Sequence, residues 1–483
     1  MREKIQALEA RARQFEQGRA KRKEWRDAVI EYSDEFIDGL SEGRAYNEYT
    51  VEGLAKHPFE IESTSAEIDE VLEEIKTWID KPGLNAASGG HIGYIPGGGL
   101  YPGALGDYIA AFMNKYSGVY YGGPGAVRLE NTLVRWMCEM IGFPKTALGN
   151  LSSGGSLATM IAVVTARDFK KINSQNIRQS VIYTTVQAHH CVQKAIRISG
   201  LGEAQLRYIP VKKDFRLDEN ALQKTIETDK ANGLNPFLVI GTAGTTDTGV
   251  IDPLDAIADI AEANDLWFHV DGAYGGFFIL VDELKPLFKG IERADSVVID
   301  PHKGLFLPYG LGAVLIKNVA AMHASHRYLP SEANYMQDSF YVDSDPSPAD
   351  LSPELTKHFR GMRMWLPLKL YGVDTFKAAL KEKAYLTRYF YDEVQKLGFE
   401  VGPNPSLSVT TYRYAPADMS LEAANELNKK LVELIRLDGR VFLTSTTLDG
   451  VYWIRVAVLS FRTHLKHIDI ILEMLQKGIE GIK

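Results

Sequence analysis

Five short stretches of this chain hold residue types that can do chemistry, and each adjoins an apolar run. In SVVIDPHKGLF the run delivers His302 and Lys303, an imidazole beside an amine that is either an ordinary solvated ammonium or a desolvated nucleophile able to form an imine. In FHVDGAYGG the run ends on Asp271, with Gly272 and Ala273 leaving room for a flat ligand. A carboxylate there either caps a turn or serves a ligand, because a buried unpaired charge is costly. NLSSGGSLATMIAVVTAR sets Ser152 to Ser156 ahead of a strong helical pattern. Backbone amides at such a helix start suit a phosphate, and a serine cap serving only the helix is the plainer alternative. Neither GxxxxGK[ST] nor GxGxxG occurs there. VQAHHCVQKA brings His189, His190 and Cys191 to a strand–helix junction, where neighbouring side chains diverge and make a poor metal cage. GTAGTTDTGVIDPL places Thr245 and Thr246 in a turn.

Elements must bring these stretches together. Between residues 150 and 317 the β-rich runs VIYTTV, FLVIGT, LWFHVD, SVVID and AVLIK alternate with helical spacing over 155–170 and 253–264. That alternation predicts an α/β domain with a mostly parallel sheet, whose ligands gather at the carboxyl ends of the strands. All five stretches lie at strand termini, so they converge on one site. Upstream, Ile5, Leu8, Ala12 and Phe15, then Trp25, Val29, Tyr32, Phe36 and Leu40, predict two amphipathic helices. Residues 82–125, rich in Gly, Pro and Tyr, read as loops near a ligand or as a linker. After about residue 372, long helices with SLSVTTYRY and YWIRVAVL predict a smaller α+β domain.

Composition narrows the function classes. The 483 residues are 45% hydrophobic and 24% charged, which suits a folded protein rather than a disordered one. With 54 basic and 62 acidic residues the net charge is −8, so no overall positive field draws nucleic acid or anionic lipid. The cluster Arg19, Lys21, Arg22, Lys23 and Arg26 is interleaved with Glu16, Glu24 and Asp27 and reads as a solvated face or a subunit contact. Two cysteines, Cys138 and Cys191, offer no disulfide framework, and no apolar run reaches the roughly 18 residues of a membrane span. A cytoplasmic location with neither nucleic-acid nor membrane partner is expected.

A phosphate cradle, a carboxylate, an imidazole and a lysine at one sheet end together specify pyridoxal 5'-phosphate. The order SSGGSLAT, AHHCVQKA, GTAGTTDTG, HVDGAYGG and DPHKG resembles the group II pyridoxal-phosphate-dependent amino acid decarboxylases, relatives of aromatic-L-amino-acid decarboxylase. The resemblance runs from about residue 80 to the end and includes HFRGMRMWLPLKLYG at 358–372. It implies an aspartate-aminotransferase-like fold: a helical dimerisation segment over 1–95, a large cofactor domain over 96–371 and a small C-terminal domain over 372–483. It also implies a homodimer with shared active sites. By position, Lys303 would carry the cofactor as a Schiff base, Asp271 would pair with the pyridine nitrogen, and Ala273 and His189 would flank the ring. Thr246 falls on a cofactor contact, Gly155 and Ser156 match the phosphate-binding pair, and His302 would contact phosphate or assist proton transfer. Three departures stand out: Asp300 occupies a position that is Asn in many relatives, Gly304 follows the lysine where Trp is common, and Leu157 stands where the aromatic enzymes often have Glu.

The implied reaction is decarboxylation of an L-amino acid. A tyrosine from a lid-like loop, YLPSEANYMQDSFYVDSDPSPADL, would protonate Cα, with Tyr341 and Tyr335 as candidates. The segment expected to line the substrate pocket, 91–103, offers His91, Tyr94 and Tyr101 without Arg or Lys, which favours an aromatic or other uncharged substrate. The rivals are a carbon–carbon lyase resembling sphingosine-phosphate lyase, an aldehyde synthase on the same scaffold, and a cofactor-binding protein without turnover.

Overall fold

The computed structural model describes the whole chain except Pro58, Glu62, Pro96, residues 328–344 and Lys483. Two helices open it, Arg2–Ala12 and Arg19–Gly39, and neither buries a residue within the single chain. On the second, Lys21 pairs with Glu24 at 2.6 Å and Lys23 with Asp27, so the basic cluster is largely matched along its own helix. A two-residue antiparallel pair follows, β1 (Tyr46–Asn47) with β2 (Gly83–Leu84).

The centre is a seven-stranded sheet of β3 (Leu148–Ser152), β4 (Ser180–Thr184), β5 (Gln205–Tyr208), β6 (Asn235–Thr242), β7 (Trp267–Asp271), β8 (Ser296–Ile299) and β9 (Gly312–Ile316). Its order is β3-β9-β8-β7-β6-β4-β5. The pairings β4–β5, β4–β6, β6–β7 and β7–β8 are parallel, and β9 runs antiparallel to both β3 and β8. Most of these strands are apolar because helices such as Gly155–Phe169, Glu219–Ala231 and Leu254–Ala263 pack on the sheet, so that both faces need covering. Two strands lay beyond the sequence reading. β3, LGNLS, has poor β-propensity but is fully buried, and its register on β9, from Leu148↔Ile316 to Ser152↔Gly312, fixes it as a strand. β5, QLRY, is a half-exposed edge.

One expectation is corrected. The Gly- and Pro-rich tract 82–125 is not loop throughout: Tyr101–Met113 is a helix with Pro102 in its first turn, where proline is tolerated. Its Gly106 is a matter of close approach, since a Cβ there would lie 2.5 Å from the carbonyl oxygen of Met362. The glycine cost in the helix is offset by packing against the helix Gly361–Lys396.

That long helix breaks at Gly372, whose φ is 70°. Beyond it, β10 (Glu400–Val401), β11 (Val409–Arg413), β12 (Thr444–Leu448) and β13 (Val451–Ala457) form an antiparallel sheet in the order β10-β11-β13-β12. The helices Leu421–Asp438 and Leu465–Ile482 belong to the same part of the chain. Two apolar cores result, one around the large sheet and one containing Phe390, Tyr412, Leu431, Ile454 and Leu475. Ile92 joins the second core, its N–H donating to Phe442. Among the described residues no helix is long and apolar enough to cross a membrane.

Candidate active site

The parallel strands all deliver their carboxyl ends to one edge, and a cavity of about 270 Å³ opens there. Gly155, Ser156, His189, Thr246, Asp271, Ala273, His302 and Lys303 all line it. The described residues to which the resemblance assigns a cofactor contact therefore meet in one place. Tyr335 and Tyr341 lie outside the described residues. A larger hollow of about 350 Å³, bordered by Tyr32, Leu40 and Lys76, gathers no comparable set.

Lys303 reaches the cavity from the short helix Pro301–Gly304 that follows β8. Its Nζ stands 3.0 Å from Asp300 Oδ2, and Asp300 is almost wholly buried. Burial alone would lower the affinity of this amine for its proton, but Asp300 and Asp271 together outweigh it and push Lys303 above the ordinary lysine value. Asp271 ends β7 and accepts one hydrogen bond, from Ala273 N–H at 3.1 Å, although a carboxylate can accept about four. Its position and unfilled capacity suit the protonated nitrogen of a flat ring.

The two histidines differ in setting. His189 accepts a hydrogen bond at Nδ1 from Cys191 N–H at 3.3 Å, which puts the proton of the neutral ring on Nε2. Burial lowers its pKa, opposed by Asp271, so it presents an uncharged face to the cavity. His302 donates from Nδ1 to the carbonyl of Leu311 at 2.6 Å, leaving Nε2 as the acceptor. Burial lowers its pKa as well, against Asp300.

The helix Gly155–Phe169 begins without a side-chain cap, at Gly154. Ser152 Oγ instead donates to the Gly154 carbonyl at 3.0 Å. The serines therefore do not serve the helix as caps, and the helix start, with the positive end of its dipole, borders the cavity, a setting that suits an anion. Thr245, on the same turn as Thr246, is tied by a 2.8 Å hydroxyl contact to Thr248.

Sequence reasoning passed over two residues. Tyr274 lines the cavity and bonds Ser408 Oγ at 2.8 Å, which ties the cavity wall to the C-terminal sheet. Arg455, in β13, is buried, bonds Thr444 Oγ1 at 3.2 Å and leaves Nε without a partner. Burial lowers its pKa, with Asp247, Tyr274 and Tyr94 opposing. The signal was available: YWIRVAVL carries one cation inside an otherwise apolar strand. Of the segment 91–103, His91 is fully buried against Phe442 rather than in the cavity. Gly97 instead packs on Tyr309, whose ring lies 5.9 Å from that of His302.

A parallel sheet with an uncapped helix start, a carboxylate and a lysine along its carboxyl edge is the aspartate-aminotransferase-like architecture of pyridoxal-phosphate enzymes. Comparison with known proteins agrees. The pyridoxal-dependent decarboxylase conserved domain matches residues 52–415. Over 375 residues, 77% of each chain, the protein is 35% identical to an aromatic-L-amino-acid decarboxylase of Bacillus atrophaeus. It is 30% identical to a phenylacetaldehyde synthase of Petunia hybrida, over 83% of each chain. The Catharanthus roseus tryptophan decarboxylase solved with L-tryptophan superposes with a TM-score of 0.90 over 97% of this chain and 99% of that one; at 23% identity the likeness is one of fold. The chain belongs to the pyridoxal-dependent decarboxylase family. It is a carboxy-lyase acting on an amino acid, and its cofactor is pyridoxal 5'-phosphate.

Proposed function

We propose that this enzyme decarboxylates an L-amino acid with an aromatic or other uncharged side chain to the amine and carbon dioxide, with Lys303 holding the cofactor as a Schiff base. The observation that carries the reading is the convergence of Lys303, Asp271 and the uncapped helix start on a single cavity. When bound, the cofactor ring supplies an electron sink for the pair left behind as carbon dioxide departs.

The chain's own residues divide the remaining work. The first-turn amides at Gly155 and Ser156 would take the phosphate, and Asp271 would hold a proton on the ring nitrogen. His189, uncharged, and Ala273 would flank the cofactor ring, and Thr246 would add a contact. His302 offers Nε2 as an acceptor for phosphate or for a travelling proton. Arg455 is a buried cation without a carboxylate partner among the described residues, which suits it to receive the substrate carboxylate. Tyr341, or Tyr335, is the proposed proton donor to Cα.

The aromatic preference draws on the relatives' names and on the absence of Lys and Arg from 91–103. The division at 1–95, 96–371 and 372–483 belongs to the same reading, supported by the break at Gly372 and the two separate cores. So does a cytoplasmic homodimer. Ile5 and Leu8 on the first helix and Phe15 just beyond it, with Tyr108, Phe112 and Leu370, are exposed apolar groups that a second copy would cover. Oxidative aldehyde formation is a second reading, favoured by the likeness to the phenylacetaldehyde synthase. A screen of L-amino acids for carbon dioxide, amine, aldehyde and peroxide separates the two. Amine matching carbon dioxide is expected; aldehyde without amine overturns decarboxylation to the amine.

A further inference from the structure

Asp300 stands where it should be hardest to keep a carboxylate. It is 1% exposed, its Oδ1 has no hydrogen-bond partner, and it adjoins the helix start assigned to a phosphate. Backbone closes in on it from two sides. A Cβ on Gly312, in β9, would lie 2.6 Å from Oδ1, and one on Gly155 would lie 2.9 Å from Oδ2. No larger side chain fits at either glycine without moving the carboxylate, so the group has little freedom to turn away. Two features make the charge tolerable: the positive end of the helix Gly155–Phe169, and Lys303 Nζ at 3.0 Å on the same short helix.

We propose that Asp300 is the fixed counter-ion of the Lys303 nitrogen, holding a proton on it both when the lysine is free and when it is bonded to the cofactor. This rests on the reading of Lys303 as the cofactor-bearing residue. Asp300 is thus a positioning residue. When substrate displaces the lysine, the released amine has a carboxylate at hydrogen-bond distance to return to, and it returns to one geometry. The other charged or titratable groups around the pair do not replace it. Asp271 on β7 contributes at longer range, Cys191 has its thiol pushed up to about 12 by burial, and His189 and His302 are held below the ordinary histidine value by burial. Neither the first turn of the helix Gly155–Phe169 nor β9 brings a charged side chain to it.

The test is a pH titration of the holoenzyme's absorbance at about 420 nm, the band of a cofactor bonded through a protonated nitrogen. Removing an opposite charge at this distance should move the loss of that band to lower pH by about 1–3 units in Asp300→Asn. Equal midpoints in the two proteins overturn the proposal. Should Asp300→Asn not fold, the wild-type chain freed of cofactor is acylated at a series of pH values and Lys303 is read by peptide mass. A midpoint above those of the exposed lysines is expected, and one at or below them overturns the proposal. Lys303→Ala keeps the two ideas apart. A band that survives in Lys303→Ala removes the underlying reading, whereas a band lost there but unshifted in Asp300→Asn removes only the counter-ion.

Discussion

Lys303 and Lys357 both pair with a carboxylate inside the large domain, and their surroundings could hardly differ more. Lys357 is fully enclosed: its Nζ forms an ion pair with Glu130 at 2.7 Å and donates to Asn150 Oδ1 at 3.0 Å and to the Leu151 carbonyl at 3.4 Å, so its charge is matched inside the fold. Lys303 has Asp300 at 3.0 Å, keeps a quarter of its side chain exposed and faces the cavity. The carboxylates follow the same division. Buried Asp252 accepts from the N–H groups of Leu217 and Thr242, both at 2.8 Å, while Asp271 has most of its capacity open toward the cavity. Burial and pairing are common to both regions. What separates the groups proposed to work from the structural ones is an unfilled valence beside open volume.

The comparison breaks most visibly at the lysines. Lys303→Ala should lower kcat by about 10⁴-fold and abolish the 420 nm band while leaving the folded structure in place, as circular dichroism would record. Lys357→Ala should do the reverse. Left with an uncompensated Glu130, the protein loses about 3–5 kcal/mol of stability in denaturant unfolding, and the fraction that remains folded keeps its cofactor band. If both variants lose the band equally, the distinction fails.

If Asp271 partners the ring nitrogen as proposed, Asp271→Asn should lower kcat by about 10²–10³-fold with a smaller change in KM. A KM effect alone would make Asp271 a binding group. The smallest expected effect is at Asp252. Burial raises its pKa from 3.8 to about 6, so between those values the folded state binds more protons than the unfolded one. Stability from this group is therefore complete below about pH 4 and declines as pH rises toward 6, at no more than about 1.4 kcal/mol per pH unit. Unfolding curves of Asp252→Asn should show a shallower decline over that window, whatever their absolute level.

Much of this site could be read from the chain because each site residue follows an apolar run, and strand ends in a parallel sheet share an edge. β7 and β8 were plain for that reason, and so were Asp271 and Lys303. β3 was not, since Gly149, Asn150 and Ser152 are poor strand residues that only pairing with β9 holds extended. The helix Tyr101–Met113 was hidden by glycines that make close contacts with distant segments, Gly103 with Pro308 and Gly106 with Met362. Arg455 was hidden by distance: some 150 residues separate it from Lys303, and nothing local says that β13 runs beside Thr444 and within reach of Tyr274.

By itself the sequence determined the class of chemistry. An amine, a carboxylate and a glycine-serine helix start are recognisable from residue type and from their places after apolar runs, which are local properties. Only the tertiary structure decided which charged groups are open for work and which are closed. Whether Asp300 turns from Lys303 or faces it, and whether Lys357 is a second reactive amine or a strut, depends on hydrogen-bond partners and excluded volume. Those are supplied by segments far along the chain, Gly312 in one case and Glu130 in the other.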